Sequence, residues 1–448
     1  MTGISRRDAL AATIALAAAQ EPAMAHVPTA QPRDDRYARG LAALRAVGGE
    51  DYDATARSLD SLTPDFSAIL VAGAYGDVIA RPALSLKARE LISVAAITTL
   101  GTARPALKFH VNGMLNTGWS PKEVVETAIH AVVYAGFPFA QDALLVIRDL
   151  FRERGIMADT SSGRPRGDDW KLGVEQLLAT GGDDAAAIAR QALEGDDAAA
   201  ELARLTVTFA HGEVWNRPSL SQKDRALATL AMAITAGNQD DRVRFHVENS
   251  LRAGWTRVEI IELLIQMTVY VGWPQALTAV APAMAAFAAA EKPASLPKAG
   301  SAAAAIAGPR LASESDDARY QRGVATMGRI SRSSGEAVVD SFRDVAPDLG
   351  RYILEFAYGE VFARGDLDLK SRELATVAAL TARGTAADET PLKVHVAGAL
   401  NTGASEGEIA EAILHMLPYA GFPRVQAAMG LAAEVFGERK ADATKYRQ

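Results

Sequence analysis

Three stretches of this chain repeat one another, and nothing else in the sequence restricts its fold as strongly. Ala74-Tyr-Gly-Asp-Val-Ile-Ala-Arg-Pro-Ala-Leu84 returns as Ala210-His-Gly-Glu-Val-Trp-Asn-Arg-Pro-Ser-Leu220, and again as Ala357-Tyr-Gly-Glu-Val-Phe-Ala-Arg-Gly-Asp-Leu367. A second block carries His110-Val111 with Leu115 and Gly118, His246-Val247 with Leu251 and Gly254, and His395-Val396 with Leu400 and Gly403. A third reads Tyr134-Ala-Gly-Phe-Pro138, Tyr270-Val-Gly-Trp-Pro274 and Tyr419-Ala-Gly-Phe-Pro423. The first offset is 136 residues at every block; the second is 147 at the first block and 149 at the others, so a two-residue insertion precedes His395. The copies span residues 34–155, 169–290 and 317–440. A Ser/Gly/Arg/Asp-rich linker (156–168) and a longer one rich in Ala, Pro, Gly and Ser (291–316) separate them.

Within a copy the period is helical. Leu107, His110, Val111, Met114 and Leu115 follow an i, i+3, i+4, i+7, i+8 pattern, which places His110 on a buried stripe. Ser120-Pro121-Lys122-Glu123 opens the next helix with a capping box, as do Thr256-x-x-Glu259 and Ser405-x-x-Glu408. That helix stops at Gly136, ahead of Pro138. Alanine is abundant and no sustained period-2 pattern is present, so the fold class is all-α. With 49% hydrophobic residues in 448, several cores can be filled. A net charge of −7 without a basic face argues against nucleic acid. The chain has no cysteine, which excludes disulfides, thiolate metal sites and thiol nucleophiles together.

The first 25 residues read as an address. Ser5-Arg6-Arg7-Asp8-Ala9-Leu10, a weakly apolar run from Ala11 to Ala19, and a small-x-small site at Ala23-Met24-Ala25 stand in the order of a twin-arginine signal. The apolar run is too short to span a bilayer. The expectation is a mature protein that starts near His26 and is periplasmic, with no membrane association after cleavage.

Arg81-Pro82-x-Leu84, Lys87-x-Arg89-Glu90-Leu91, His110-Val-x-Gly-x-Leu-Asn-Thr-Gly118, the helix ending Tyr134-Ala-Gly-x-Pro138 and the opening Arg36-Tyr37-x-x-Gly40 together resemble the carboxymuconolactone decarboxylase family, within the wider alkylhydroperoxidase D-like group. The resemblance covers essentially the whole chain after the signal, as three tandem units. It implies compact helical bundles packed as a pseudo-trimer, and a possible homodimer that would give a pseudo-hexamer. In the peroxidase-linked branch two cysteines lie four and seven residues before the helix histidine. Here those positions are Ala106 and Ala103, Arg242 and Gln239, and Pro391 and Asp388, so that chemistry is absent. A glutamate one helix upstream persists as Glu90 with His110 and as Glu373 with His395, whereas Ala226 replaces it beside His246.

The resemblance also implies a cofactor-free lyase acting on a lactone or related unsaturated carboxylic acid. Such an enzyme must hold a carboxylate, stabilise charge on the lactone and deliver a proton. His110 and His395, oriented by Glu90 and Glu373, suit the proton step. Arg81, Arg89, Arg364 and Arg372 are candidate carboxylate forks, Asn116 and Asn401 candidate donors to a lactone oxygen, and His130 and His415 candidate pocket-wall groups, with Gln266 between them in the series. Each has a structural alternative: a histidine satisfied within a core, a glutamate in a buried pair, arginines that bridge helices or subunits. For the arginines that alternative is the stronger. No metal-ligand spacing occurs, since the histidines of copies one and three lie 20 residues apart and those of copy two 35. Two competent sites are therefore expected, in copies one and three, with the middle copy structural. The competing readings are a non-enzymatic periplasmic binding or scaffold protein, and a cysteine-independent isomerase or oxidoreductase on the same fold.

Overall fold

The computed structural model describes residues 36–53, 64–160, 168–195, 197–237, 240–290, 316–331, 337, 339–340, 342–343, 347–385 and 388–445. The export signal expected at residues 1–25, the linker from 291 to 315 and most of the linker at 156–168 lie outside them. Among the described residues every regular element is helical.

Copy one consists of α1 (Arg36–Gly48), α2 (Pro64–Ile69), α3 (Leu86–Leu100), α4 (Arg104–Asn116), α5 (Pro121–Ala135) and α6 (Phe137–Glu153). Copy two repeats the plan with α7 (Asp169–Glu194), α8 (Ala198–Leu205), α9 (Gln222–Ala236), α10 (Asp240–Arg252), α11 (Arg257–Thr278) and α12 (Val280–Ala290). Copy three has α13 (Asp316–Ile330), α14 (Pro347–Tyr352), α15 (Leu369–Arg383), α16 (Glu389–Asn401), α17 (Glu406–Leu414), α18 (Leu417–Ala420) and α19 (Phe422–Lys445).

The punctuation expected from sequence is what delimits these helices. Ser120, Thr256 and Ser405 each close a full capping box with the glutamate three residues on. Gly136, Gly272 and Gly421 take the same positive-φ conformation, at φ 87°, 75° and 78°. α11 is thus two helices meeting at Gly272 rather than one long apolar rod. Copy three departs at Pro418, which occupies the place of Val133 and Val269. Its missing N–H would have bonded to Leu414, and α17 ends at Leu414.

The first repeated block forms the least ordinary element. After α2, α8 and α14 the chain continues as π-helix over Leu70–Ile79, Thr206–Trp215 and Ile353–Phe362. Each π segment crosses the opening helix of its copy at very short range. A β-carbon on Gly40 would stand 1.9 Å from the Val71 carbonyl oxygen, and one on Gly76 2.2 Å from that of Arg36. The glycine of the Tyr37-x-x-Gly40 motif therefore exists for backbone approach.

One continuous apolar core runs through copies one and two and into the start of copy three, and the rest of copy three has its own. The three bundles pack together, but not through three equivalent contacts. Helices α3 and α9, which are counterparts, lie against each other, while α5 covers α9 and α11 covers α3. Copies one and two are thus related by a local two-fold.

Candidate functional site

The wider stripe carrying His110 faces the interior, and α3 brings Glu90 to it. His110 Nδ1 lies 2.9 Å from Glu90 Oε2, and His395 Nδ1 lies 2.9 Å from Glu373 Oε2. Both carboxylates are completely shielded, at 0% exposure. In each the second oxygen, Oε1, is buried without a hydrogen-bond partner. The geometry leaves Nε2 of each histidine to face a cavity.

Around His110 that cavity measures about 290 Å³ and is walled mainly by apolar groups, among them Leu44, Ile79, Ile97 and Leu100, with the phenol of Tyr75. Ala103 and Ala106, at the positions held by cysteines in the peroxidase branch, are part of the wall. A cavity of about 270 Å³ lies against His395, with Tyr358 and Phe362 in the places of Tyr75 and Ile79, and Pro391 in the place of Ala106. Burial raises the phenols of Tyr75 and Tyr358 well above their ordinary range, so both are neutral donors.

Neighbouring copies complete these cavities. Tyr270, from copy two, places its hydroxyl 3.5 Å from His110 Nε2 and shares a 2.5 Å hydrogen bond with Ser93. Its ring meets the imidazole edge to face, with centroids 5.7 Å apart. The His395 cavity is closed on another side by Phe137, Pro138, Gln141 and Leu145 of copy one, with Arg104 at its edge. Arg104 is paired with Asp142.

The middle copy differs in a linked pair of positions. A β-carbon on Gly113 would stand 2.3 Å from Glu90 Oε2, and one on Gly398 2.7 Å from Glu373 Oε2. Glycine three residues after the histidine is what makes room for the carboxylate. Copy two has Asn249 there, buried, and Ala226 in place of the glutamate. The loss and the gain offset each other in volume. His246 Nδ1 is consequently buried without a partner, and desolvation first, then the nearby His211 and Arg242, lowers its pKa to about 3. Burial holds His211 at about 4. The imidazole of His246 stays neutral across the physiological range.

The other residues singled out from sequence do not line either cavity. Arg81 and Arg89 both bind Glu262 across the interface between copies one and two, with nitrogen–oxygen distances of 2.8 Å, and Arg89 also donates to Gln266. His130 lies in the reciprocal network, 2.7 Å from the Thr229 hydroxyl and 3.2 Å from Arg225. Arg364 pairs with Glu201 of copy two, and Arg372 donates to the Leu367 and Arg364 carbonyls. Asn116 and Asn401 donate to the Val47 and Ile330 carbonyls, each at 2.8 Å, which ties the opening helix of a copy to its histidine helix. His415 is exposed, with its ring tilted against that of Tyr419 at a centroid distance of 5.9 Å. The bridging alternative is thus what the structure places at the arginines. Arg81, Arg89 and Arg364 pair with carboxylates of another copy, between distant segments that no local spacing reveals, whereas Arg372, among the described residues, meets only backbone carbonyls.

Sequence reasoning passed over the phenol that stands 3.5 Å from His110 Nε2. Tyr270 was legible only as part of a helix-ending block, yet Glu262, Gln266 and Tyr270 share one helical stripe at i, i+4 and i+8. Glu126, His130, Tyr134 and Glu411, His415, Tyr419 repeat that stripe in the other copies.

Comparison with known proteins agrees with this arrangement. The profile of the Carboxymuconolactone decarboxylase family matches residues 64–149, 200–291 and 347–434. The 4-carboxymuconolactone decarboxylase of Acinetobacter baylyi is 34% identical over 122 residues, 27% of this chain and 89% of that protein. A nitrosuccinic acid decarboxylase of Metarhizium robertsii is 39% identical over 112 residues, 25% of this chain and 77% of its own. An uncharacterized 15.0 kDa protein of Paracoccus denitrificans is 38% identical over 94 residues, 21% of this chain and 69% of its own. Each relative corresponds to a single copy. With three matched segments that carry the repeated motifs and fold into three helical bundles, the chain belongs to the carboxymuconolactone decarboxylase family.

Proposed function

We propose that the chain is a cofactor-free carbon–carbon lyase with two working sites, His110–Glu90 and His395–Glu373, acting on a small unsaturated lactone or related carboxylic acid. The observation that carries this reading is the duplicated dyad. The same 2.9 Å contact stands at an apolar cavity in copies one and three, and both the carboxylate and the glycine that admits it are gone from copy two.

The chemistry follows from the two nitrogens. A carboxylate on Nδ1 stabilises the imidazolium, whose Nε2–H then points into the cavity as an acid. When the substrate's C–COO⁻ bond breaks, carbon dioxide leaves and the electron pair passes to the adjoining unsaturated or electron-withdrawing group. Nε2 delivers the proton that quenches this carbanion, and solvent restores the imidazolium. Apolar walls favour the charge-dispersed transition state over the compact carboxylate, and a neutral phenol (Tyr75 or Tyr358) is placed to donate to developing negative charge. The names of two relatives, one a lactone and one a nitro-acid decarboxylase, fit a site that supplies proton transfer and leaves the electron sink to the substrate. The paired arginines at the N-terminus support export, and a periplasmic enzyme would meet a substrate other than the intracellular lactone.

The test is incubation with 4-carboxymuconolactone and with nitrosuccinic acid while released carbon dioxide is measured. Decarboxylation of either, lost in the His110→Ala/His395→Ala double variant, is the expected result. Turnover that survives the double variant removes the assignment of these histidines. A folded protein that turns over neither acid favours a binding role.

A further inference from the structure

Two hydroxyls and an amide meet over His110, and their donors and acceptors balance in two ways. Arg89 orients Gln266, since its Nη1 donates to the amide Oε1 at 3.1 Å. The Gln266 Nε2 therefore carries the donors, which reach the Arg89 carbonyl at 2.8 Å and the Ser93 hydroxyl at 3.2 Å. Ser93 lies 2.8 Å from the same carbonyl and 2.5 Å from the Tyr270 hydroxyl, where either oxygen serves as donor. Tyr270 in turn stands 3.5 Å from His110 Nε2, while Nδ1 on the far side of the ring faces Glu90 at 2.9 Å. The titratable groups about this imidazole are thus Glu90 on α3, Tyr75 on the first π segment and Tyr270 on α11, with Arg89 beyond Ser93. Burial first, then the charge of Glu90, raises the Tyr270 phenol above its ordinary range, so it donates and accepts without ionising.

In the first arrangement Ser93 donates to the Arg89 carbonyl, Tyr270 donates to Ser93, and the Tyr270 oxygen accepts from an Nε2–H. His110 is then an imidazolium. In the second, Ser93 donates to Tyr270 and Tyr270 donates to a bare Nε2, while the Arg89 carbonyl keeps Gln266 as its donor. His110 is then neutral. Rotation of two hydroxyls passes from one to the other and orphans no buried donor or acceptor. The middle copy has the same tyrosine without this freedom. Tyr134 lies edge to face on His246, with centroids 5.6 Å apart, but its hydroxyl accepts from the Trp215 indole at 2.8 Å. An indole N–H is a donor only, so Trp215, standing where copy one has the apolar Ile79, holds the acceptor side of that phenol. The matching stripe of copy three lies on the surface of the chain, with Tyr419 74% exposed.

We propose that Tyr270 and Ser93 form a reversible hydrogen-bond pair that satisfies His110 both before and after it gives up its proton, which makes Tyr270, contributed by copy two, a positioning residue of the copy-one site. This rests on the function proposed above. With His110 charged, the Tyr270 oxygen holds the Nε2–H at the cavity. When the substrate's C–COO⁻ bond breaks and carbon dioxide leaves, the Nε2 proton moves to the carbon that keeps the electron pair: one N–H bond breaks and one C–H bond forms. The lone pair left on Nε2 is met by the Tyr270 O–H as the two hydroxyls turn. No proton travels along the pair, which ends at a backbone carbonyl; solvent returns the proton to Nε2 by way of the cavity. The 3.5 Å separation in the empty site shortens as the base forms, as catalytic hydrogen bonds tighten in the course of reaction.

Two measurements on the full chain test the pair, and the first needs no turnover. In protein isotopically labelled at the histidine nitrogens, the Nε2 resonance of His110, assigned by its loss in His110→Ala, reports what that nitrogen is bonded to. Tyr270→Phe keeps the ring and its packing and leaves Ser93 bonded to the Arg89 carbonyl, so the fold is retained. The expected result is a displaced Nε2 resonance in both the charged and the neutral form of His110, with the His395 resonances in place. A resonance that Tyr270→Phe leaves unmoved in either form overturns the proposal. The second measurement is kinetic, in a His395→Ala background, so that turnover reports copy one. Tyr270→Phe and Ser93→Ala are each expected to lower kcat about tenfold with KM little changed, and the double variant to be no slower than either. Loss of Ser93 pins the Tyr270 O–H on Nε2, loss of the phenol takes it away, and either change ends the reversal. Losses that multiply in the double variant, or an unchanged kcat in Tyr270→Phe, overturn it. A chain that decarboxylates neither acid yet shows the displaced resonance keeps the hydrogen-bond pair and removes the reaction proposed above.

Discussion

The His110 and His246 sites are built on counterpart helices, are capped by tyrosines from the same two-fold interface, and differ at two linked buried positions. Beside His110 the pair is Glu90 and Gly113; beside His246 it is Ala226 and Asn249. In the first site the imidazole has a carboxylate to hold its Nδ1 proton. In the second Nδ1 has no partner and desolvation keeps the ring neutral down to about pH 3. One exchange of side-chain volume across a helix pair thus separates the histidine of the middle copy from those of the outer two. The middle copy keeps its place in the core and its interface arginine, Arg225.

The comparison breaks most simply at the histidines. His110→Ala with His395→Ala should lower turnover by about 10²–10⁴-fold, whereas His246→Ala should leave it unchanged; equal losses would erase the distinction between outer and middle copies. Rebuilding the dyad sharpens it further. Ala226→Glu with Asn249→Gly should raise the pKa of His246 from about 3 by roughly 2 units or more, read by NMR titration of isotopically labelled histidine. A value that stays near 3 would mean that burial, not the missing carboxylate, sets the state of this ring.

Gly113→Ala addresses the room that the carboxylate needs. A β-carbon pressed against Glu90 should destabilise copy one by about 1–3 kcal/mol and abolish the contribution of His110 to turnover. Asn249→Ala in the middle copy should leave turnover unchanged. Thermal unfolding together with carbon dioxide release separates the two effects. A separate effect concerns acid. His130, His211 and His246 all have folded pKa values below the ordinary histidine value, mainly through burial. The unfolded chain binds more protons once the pH falls below about 6.5, so stability is full above that value and declines as pH drops toward 4. Each histidine contributes a slope of at most about 1.4 kcal/mol per pH unit. His246→Gln should flatten the acid limb of a stability–pH curve by that amount; an unchanged limb would place the titration elsewhere.

Much of the fold was legible because its signals are local. Capping boxes at Ser120, Thr256 and Ser405, positive-φ glycines at Gly136, Gly272 and Gly421, and the i, i+3, i+4 stripe through His110 each depend on residues within a turn or two of one another. The dyads were legible for a different reason: three copies in one chain show which positions persist together. For the arginines a bridging role was legible but the partner was not, since Arg89 meets Glu262 from 173 positions away; the surroundings of His130 and His415 likewise depend on which distant segment lies opposite.

The sequence by itself determined an all-helical chain of three related bundles, cysteine-free, with a histidine and a glutamate kept in two of them. Those conclusions rest on periodicity, caps and internal repetition, all of which a linear chain carries. Only the tertiary structure decided that copies one and two meet about a two-fold axis, that the buried arginines serve that interface, that Tyr270 leans over His110, and that copy three presents the matching face to solvent. Interfaces between distant segments are set by shape and charge complementarity among residues that share no spacing. The same helical stripe therefore reads alike in all three copies until its partner is seen.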